Sequence, residues 1–124
     1  MKGLIWNCKN LSWKFKNGEY FVKDSLLVFI CFEEGDSFKK LKESTRRIKQ
    51  LNTKRYKKEN ITIFPFAHLS KKIMKIDESK IFFDAFLFEL KKSDFEVKNI
   101  PFEMEKEVYI HLLPAKEDVS YFEY

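Results

Sequence analysis

Glycine, proline and cysteine are all scarce in this chain. Its 124 residues include three Gly, three Pro and two Cys. So little glycine and proline argues against a long disordered tail or a repeat array. Cys8 and Cys31 form neither a disulfide framework nor the spacing of a zinc site, so we expect both thiols to be reduced and structural.

Long apolar runs are also lacking. The longest, Leu26 to Phe32, has seven residues and is too short to span a bilayer. The first residues show no apolar stretch followed by a small-residue cleavage site, so no targeting segment is expected. These absences predict a cytoplasmic protein with no membrane contact.

Motifs for common cofactors and nucleophiles are missing as well. The sequence has no phosphate-binding glycine loop, no dinucleotide fingerprint and no Gly-x-Ser-x-Gly elbow. Its two histidines, His68 and His111, lack the spacing of paired metal ligands. We therefore expect neither a cofactor nor a metal site.

Apolar and aromatic residues are abundant by contrast. Hydrophobic residues make up 44% of the chain, and 14 residues are Phe. A chain of this length and composition can bury a core without disulfides, but it is too short for two well-packed domains. We expect a single domain over residues 1–124.

The hydrophobic pattern predicts two helices among several strands. Apolar residues alternate or form short buried runs in the strands, and recur at spacings of three and four in the helices. The predicted strands are 2–7, 11–15, 19–23, 26–32, 60–64 (stopped by Pro65), 94–100, 106–113 and 119–124, with a hairpin at Asn17-Gly18 and a turn at 114–118. The predicted helices run from Asp36 or Ser37, as N-cap, to 56–58 and from 77 to 93. This order predicts an α+β fold with a mixed sheet or barrel-like sheets and two helices.

Positive charge is concentrated in the first predicted helix. Ten basic and three acidic residues lie between Asp36 and Glu59, an excess larger than the net +5 of the whole chain. Such clustering is typical of a nucleic-acid-binding surface, although a merely solvated helix face has the same pattern. The residues predicted to contact RNA are Lys39, Lys42, Arg46, Arg47, Lys49, Lys54 and Arg55.

Two single residues are candidates for chemistry. His68 follows a buried strand, in a loop position where functional groups are common, although a backbone partner would also account for it. Lys106 has the strand parity of Val108 and Ile110, so its side chain starts on the apolar side. Such a lysine either extends to water or lines a pocket.

Two segments resemble the signature of the archaeal threonyl-tRNA synthetase editing domain. Asn60–Ser70 matches a hydrophobic strand followed by Pro, an aromatic residue and Ala-His-Leu-Ser. At the spacing found in the family, Phe95–Val97 and Ile100–Phe102, followed by Lys106, resemble its second signature segment. The resemblance extends over nearly the whole chain.

The resemblance implies a homodimer with a fold similar to D-aminoacyl-tRNA deacylases. It implies hydrolysis of mischarged aminoacyl-tRNA, namely serine attached to threonine tRNA. Lys106 and His68 would then be the catalytic residues. The substrate-binding positions would be Ala67, Phe102, Glu105 and Asp118, with Glu117 as the alternative to Asp118.

Two departures from the family pattern bear on function. Glu103-Met104-Glu105 stands where the family has Gly, an aromatic residue and Tyr, so Glu105 replaces a pocket tyrosine. The chain is also shorter than the synthetases that carry this domain. It is therefore expected to be a free-standing relative that acts in trans, beside a threonyl-tRNA synthetase lacking its own editing domain. The alternatives are a catalytically degenerate module that binds tRNA or a synthetase, and a structural dimer with no RNA role.

Overall fold

A six-stranded sheet and two α-helices make up the architecture. The structure is a computed structural model and describes residues 1–102, 106–113 and 119–124. The strands are β1 (Lys2–Phe15), β2 (Gly18–Cys31), β3 (Asn60–Pro65), β4 (Glu96–Asn99), β5 (Lys106–Leu112) and β6 (Val119–Glu123), and the helices are α1 (Phe38–Leu51) and α2 (Ile76–Lys91). The predicted α+β class with a mixed sheet and two helices is confirmed.

The sheet is antiparallel on one side of β2 and parallel on the other. Its strand order is β4-β3-β2-β1-β5, and β6 also pairs with β1. The antiparallel partners of β1 are β2, β5 and β6, whereas β2–β3 and β3–β4 are parallel pairs. Each parallel pair is connected through a helix, because a parallel crossover needs a long connection.

The first two strands are longer than the sequence predicts. The predicted strands 2–7 and 11–15 join into β1, and 19–23 and 26–32 join into β2. The joints lie at Lys9, where the β1–β5 register shifts, and at Asp24, which has a φ of 51°. A glycine at such a position would have indicated an irregularity inside one strand, but an aspartate does not. The apolar alternation therefore predicts two separate strands in place of one.

The joints also reverse which side chains face which side of the sheet. Cys8 and Leu11 point to the same side although they are three positions apart, and Val22 and Leu27 do so although they are five positions apart. In an uninterrupted strand, residues an odd number of positions apart would point to opposite sides. The part beyond the joints is called the hairpin end here, and consists of residues 10–15 of β1, 18–23 of β2 and 106–111 of β5.

Two apolar clusters lie on opposite sides of the sheet. On the helix side, Leu41 of α1 and Phe86 of α2 pack against strand residues such as Val28 and Ile63. On the helix-free side, Leu27 and Phe64 pack with Ile100 and residues of the hairpin end. Consecutive residues of β2 and β3 thus alternate between the clusters, as expected for strands buried on both faces.

The ends of α1 follow from local hydrogen bonds. Ser37 is the N-cap, and its Oγ accepts from the backbone N–H of Lys40 at 3.3 Å. A π-helical turn, Asn52–Tyr56, continues α1, and Lys57 ends it with a φ of 54°. The Asn52 side chain bonds both the N–H and the carbonyl of Lys58 at 2.9 Å. Ser37 and the predicted end at 56–58 are thereby confirmed.

The remaining elements differ from prediction by one or two residues at their ends. β4, for example, is two residues shorter at its start than the predicted 94–100. The predicted turn 114–118 lies outside the described residues. Over the described ranges, neither helix has the length and apolar character needed to cross a membrane.

Gly3 is predicted to stabilise the docking of β6. It lies opposite Phe122, whose buried ring covers it so closely that an added Cβ would overlap the ring. We expect Gly3→Ala to lower the free energy of unfolding by about 1–3 kcal/mol, because the ring must move out of a packed core. Urea denaturation measures this. A cost for Gly3→Ala that is equally large in a Phe122→Leu background would contradict the explanation.

Both thiols are predicted to be inert in the folded protein. Cys8 and Cys31 are buried, and burial raises the pKa of Cys8 to about 11 and raises that of Cys31 as well. The thiolate is the reactive form. We therefore expect Cys8 in native protein at pH 8 to react with a disulfide reagent such as Ellman's at least about 100-fold more slowly than in urea-unfolded protein. Rapid release of the chromophore from native protein would disprove this.

Candidate functional site

The segment that follows β3 is held against the end of β2. Ile30 pairs with Pro65, and the backbone N–H of Phe66 donates to the carbonyl of Ile30 at 2.8 Å. Proline lacks an N–H and so ends the ladder there. The chain then forms a short 3₁₀ turn, Ala67–Leu69, whose Ala67 carbonyl accepts from the Cys31 thiol at 3.6 Å. This turn places His68 at the end of the strand with an exposed side chain.

Glu33 clamps the far end of this turn. Its carboxylate accepts from the Ser70 hydroxyl at 2.6 Å and from the Met1 ammonium at 2.7 Å. Partial burial acts to raise the pKa of Glu33, but these two hydrogen bonds and the positive charges of the Met1 ammonium and Lys2 together hold the pKa below its ordinary value. The carboxylate is therefore ionised at neutral pH. In that form it holds Ser70, the residue at which the chain leaves the His68 turn.

Backbone pairing reinforces the same clamp. Glu33 forms a β-bridge with Ile73, and the N–H of Glu34 donates to the carbonyl of Lys72 at 2.9 Å. Glu33 is not among the functional residues that the sequence predicts. Its only signal was a carboxylate directly after the buried run that ends at Phe32, and nothing in the sequence indicates that Ser70 returns to it.

Lys106 and His68 lie at the two ends of a series of aromatic rings. The Lys106 Nζ is 5.7 Å from the centre of the Phe64 ring. The Phe64 and Phe66 rings are 5.6 Å apart, and the Phe66 and His68 rings are 5.3 Å apart, both edge to face. These distances are in the range of favourable aromatic and cation–π contacts. Phe29 adds a fourth ring, 5.3 Å from Phe64 and 5.4 Å from Phe66.

The predicted orientation of Lys106 agrees with the structure. Along β5, Lys106, Val108 and Ile110 are half-buried whereas Glu107 and Tyr109 are exposed. Val108 and Ile110 pack on the helix-free cluster, and Lys106 lies against the Phe64 ring of the same cluster. The lysine therefore lies at the edge of the helix-free cluster, with its aliphatic stem on apolar surface.

A shallow cavity opens beside His68. Its volume is about 420 Å³, and it is lined by Lys2, Glu33, His68, Leu69, Ser70, Lys71 and Lys72. Most of these side chains are cationic or can donate hydrogen bonds, so the cavity suits an anionic or oxygen-rich ligand. In residues 1–102, 106–113 and 119–124, no group of three His, Cys, Asp or Glu side chains is placed to hold a metal ion.

The other predicted substrate-binding residues are dispersed. Ala67 is exposed next to His68. Phe102 is half-buried, but its ring contacts Phe83 of α2 at 5.7 Å and joins the helix-side cluster instead of the ring series. Glu105 and Asp118, with the alternative Glu117, lie outside the described residues.

The basic residues of α1 lie across the sheet from Lys106. Leu41 and Ile48 of α1 pack on the helix side, so the opposite face of the helix meets solvent. Lys49 is half-buried, and the exposed members of the predicted set are Lys39, Lys42, Arg46, Arg47, Lys54 and Arg55. Arg55 also donates to the Ser120 hydroxyl at 3.2 Å. The structure thus brings Lys106 and His68 onto one ring series but separates them from the basic helix face.

Two sequence comparisons with known proteins point to the same family. Residues 1–113 match the model of the archaea-specific editing domain of threonyl-tRNA synthetase. The threonine–tRNA ligase of Staphylothermus marinus is 33% identical over an alignment of 101 residues that covers 74% of this chain and 15% of that protein. The chain therefore spans only a small part of that relative.

Solved structures share the fold across almost the full length. The c-Myc DNA unwinding element binding protein superposes with a TM-score of 0.81 at 14% identity, covering 100% of this chain and 99% of the other. A probable eukaryotic D-amino acid tRNA deacylase superposes with a TM-score of 0.72 at 11% identity, covering 98% and 97%. The fold predicted by resemblance is confirmed. By the match of its sequence over residues 1–113, the chain belongs to the family of the archaea-specific editing domain of threonyl-tRNA synthetase.

Proposed function

We propose that this protein hydrolyses the ester bond of mischarged aminoacyl-tRNA, with serine on threonine tRNA as the substrate. The observation that carries the proposal is the ring series that joins Lys106 to His68 at the edge of the helix-free cluster. Family membership supplies the type of substrate. The same proposal assigns residues 1–124 to one editing-type domain that works in the cytoplasm.

The chemistry has a clear physical rationale. Threonine and serine differ by one methyl group, which a binding pocket discriminates by only about 1–3 kcal/mol. A synthetase that must reject serine therefore gains from a second, hydrolytic site. Ester hydrolysis needs a positioned water and hydrogen-bond donors at the place where the oxyanion develops.

Lys106 and His68 are assigned distinct roles. The Lys106 amine offers donors on a flexible stem, and we assign it to the attacking water and the developing oxyanion. His68 stands exposed beside the cationic cavity and is assigned to substrate orientation. Ala67, Phe102, Glu105 and Asp118 remain proposed substrate contacts. No cofactor or metal is part of the proposal.

The proposed partners are tRNA, a second copy of the chain and a synthetase. Half-buried apolar side chains on the helix-free side, among them Phe29 and Val108, support homodimer formation over that face. Because this family is named for a domain of threonyl-tRNA synthetase, a synthetase without its own editing domain is the proposed source of the substrate, and the action is in trans.

The second candidate function is a module of the same fold that binds tRNA or a synthetase without hydrolysis. The observation that favours it is Glu103-Met104-Glu105, which brings two carboxyl groups into the segment just before Lys106. Carboxylates next to a site for anionic RNA disfavour its binding there and change the pocket. Single-turnover hydrolysis distinguishes the two functions.

Substitution of Lys106 is predicted to abolish selective deacylation. Wild-type protein is expected to hydrolyse Ser-tRNA(Thr) faster than Thr-tRNA(Thr), and Lys106→Met to slow the former by about 10²–10³, the cost of losing one oxyanion donor. Radiolabelled aminoacyl-tRNA measures both rates. Lys98→Met is the matched control, because Lys98 is another half-buried strand lysine, ion-paired with Glu96 on β4. Unchanged hydrolysis in folded Lys106→Met, or none by wild type, would refute the assignment.

The basic face of α1 is predicted to make the tRNA affinity depend on salt. Each phosphate contact contributes about one unit to the slope of log affinity against log salt concentration. Arg46→Gln combined with Arg47→Gln should therefore lower that slope by about one to two. Lys80→Gln, an exposed lysine on α2, serves as the control. A slope that is identical in all three proteins would mean that this helix face is only solvated.

A further inference from the structure

The helix-side face of the hairpin end is uncovered and carries two exposed aromatic rings. Phe21 of β2 is 55% exposed and Tyr109 of β5 is 64% exposed. Both have the strand parity opposite to Val22 and Val108, which pack on the helix-free cluster. The two rings therefore project from the other face of the hairpin end, which α1 and α2 leave open to solvent.

Phe21 and Tyr109 stand on either side of a small residue. Ser12 of β1 pairs directly with Phe21 in one neighbouring strand and with Tyr109 in the other. Directly opposed residues share a face, and two interstrand spacings amount to about 9.6 Å. A flat ring in van der Waals contact on both of its faces needs about 7–8 Å. The row Phe21–Ser12–Tyr109 thus has two exposed rings on strands two spacings apart, which leaves room for one planar aromatic ligand between them. This row is called the slot here.

Charge is distributed unequally on the two sides of this slot. The adjacent row towards α1 is Lys23–Asn10–His111, and the row on the outer side is Glu19–Lys14–Glu107. The Lys23 Nζ lies 5.7 Å from the centre of the Phe21 ring. A ligand with a planar ring and an anionic group would therefore place its anion on the Lys23 side.

Positive charge continues from that row to the end of α1. Asp24, next to Lys23, is ion-paired with Lys58, and the Asn60 side chain donates to the carbonyl of Lys23 at 3.4 Å. The chain just after α1 thus contacts the Lys23 row, and the end of the helix carries the exposed cations Lys54, Arg55 and Lys57. A run of phosphates bound along the helix end would therefore lead towards the pair of rings.

We propose that the slot binds an unpaired nucleobase of the RNA substrate, with the adjoining phosphates on the Lys23 row and the end of α1. Stacking on aromatic side chains next to a cationic track is how proteins hold single-stranded nucleic acid without reading its sequence. The inference rests on the proposed function for its ligand, RNA. It adds a binding site that is distinct from Lys106 and His68.

The position of β5 lets one RNA reach both sites. β5 pairs only with β1 and forms one end of the strand order among the described strands. Tyr109 and Lys106 are three positions apart on this strand, about 10 Å, and face opposite sides of the sheet. An unpaired strand that passes around β5 would hold one base in the slot and bring its terminal ester to Lys106.

Base-dependent binding of short RNA tests the proposal. The probes are a fluorescent single-stranded adenosine 12-mer and a 12-mer of equal charge with abasic positions, compared by anisotropy. Wild-type protein should prefer the base-bearing probe by about tenfold or more, because each stacked base contributes that much affinity. Phe21→Leu and Tyr109→Leu should each lose most of this preference.

Phe88→Leu is the matched control. Phe88 on α2 is 64% exposed and has a lysine Nζ 4.8 Å from its ring, much like Phe21, but it lies on the helix layer. Its substitution should leave the preference intact. Equal affinity of wild type for the two probes, or a preference that persists in both slot variants, would overturn the proposal. So would slot variants that change only the monomer–dimer equilibrium, because the rings would then contact a second copy.

Hydrolysis measured on the same preparations separates this inference from the proposed function. Base-dependent binding without hydrolysis supports the slot and rejects the enzyme. Lys106-dependent hydrolysis without base-dependent binding supports the enzyme and rejects the slot.

Discussion

The pairing of β2 with a partner on each edge is the constraint on which the rest of the structure depends. Antiparallel β1 and parallel β3 both run along its buried half, so Leu26–Ile30 have neighbours on every side. Val28 packs in the helix-side cluster, and Leu27 packs in the helix-free cluster. The parallel register sets Pro65 opposite Ile30, which decides where β3 ends and hence where His68 stands. A shift of one residue would exchange the two faces of the strand and displace the turn.

The proposed catalytic residues and the cations of α1 lie on opposite sides of the sheet. Lys106 and the ring series lie on the helix-free side, whereas the cations of α1 lie outside the helix layer. RNA held by α1 alone would not present its end to Lys106 by a straight approach. The division is reasonable for an editing reaction, because long-range attraction of a polyanion needs only a basic field, whereas hydrolysis needs a small site with fixed donors.

Much of the fold could be predicted because local signals agreed with the tertiary structure. Ser37 as the N-cap, Pro65 as the end of β3, and the side of β5 on which Lys106 lies all follow from local rules, and the structure has each of them. The clamp of Glu33 on Ser70 could not be predicted, since it joins residues 37 positions apart through side-chain atoms. The continuity of β1 and β2 was missed because Lys9 and Asp24 break the alternation without a glycine or proline to mark it. The sequence also does not predict that α1 and Lys106 lie on opposite sides of the sheet. That depends on the side on which the β2–α1–β3 crossover packs, and sequence periodicity does not specify this side.

The joints at Lys9 and Asp24 have a consequence for sequence change in this family. Each strand contains one extra residue, and the β1–β2 register is the same on both sides of the joints because the two additions compensate. Loss of one of them alone would turn Leu11 and Trp13, or Val22, outward and bring polar neighbours into the apolar cluster. Chain-length variation at this point is therefore expected to be correlated, with residues gained or lost in β1 and β2 together.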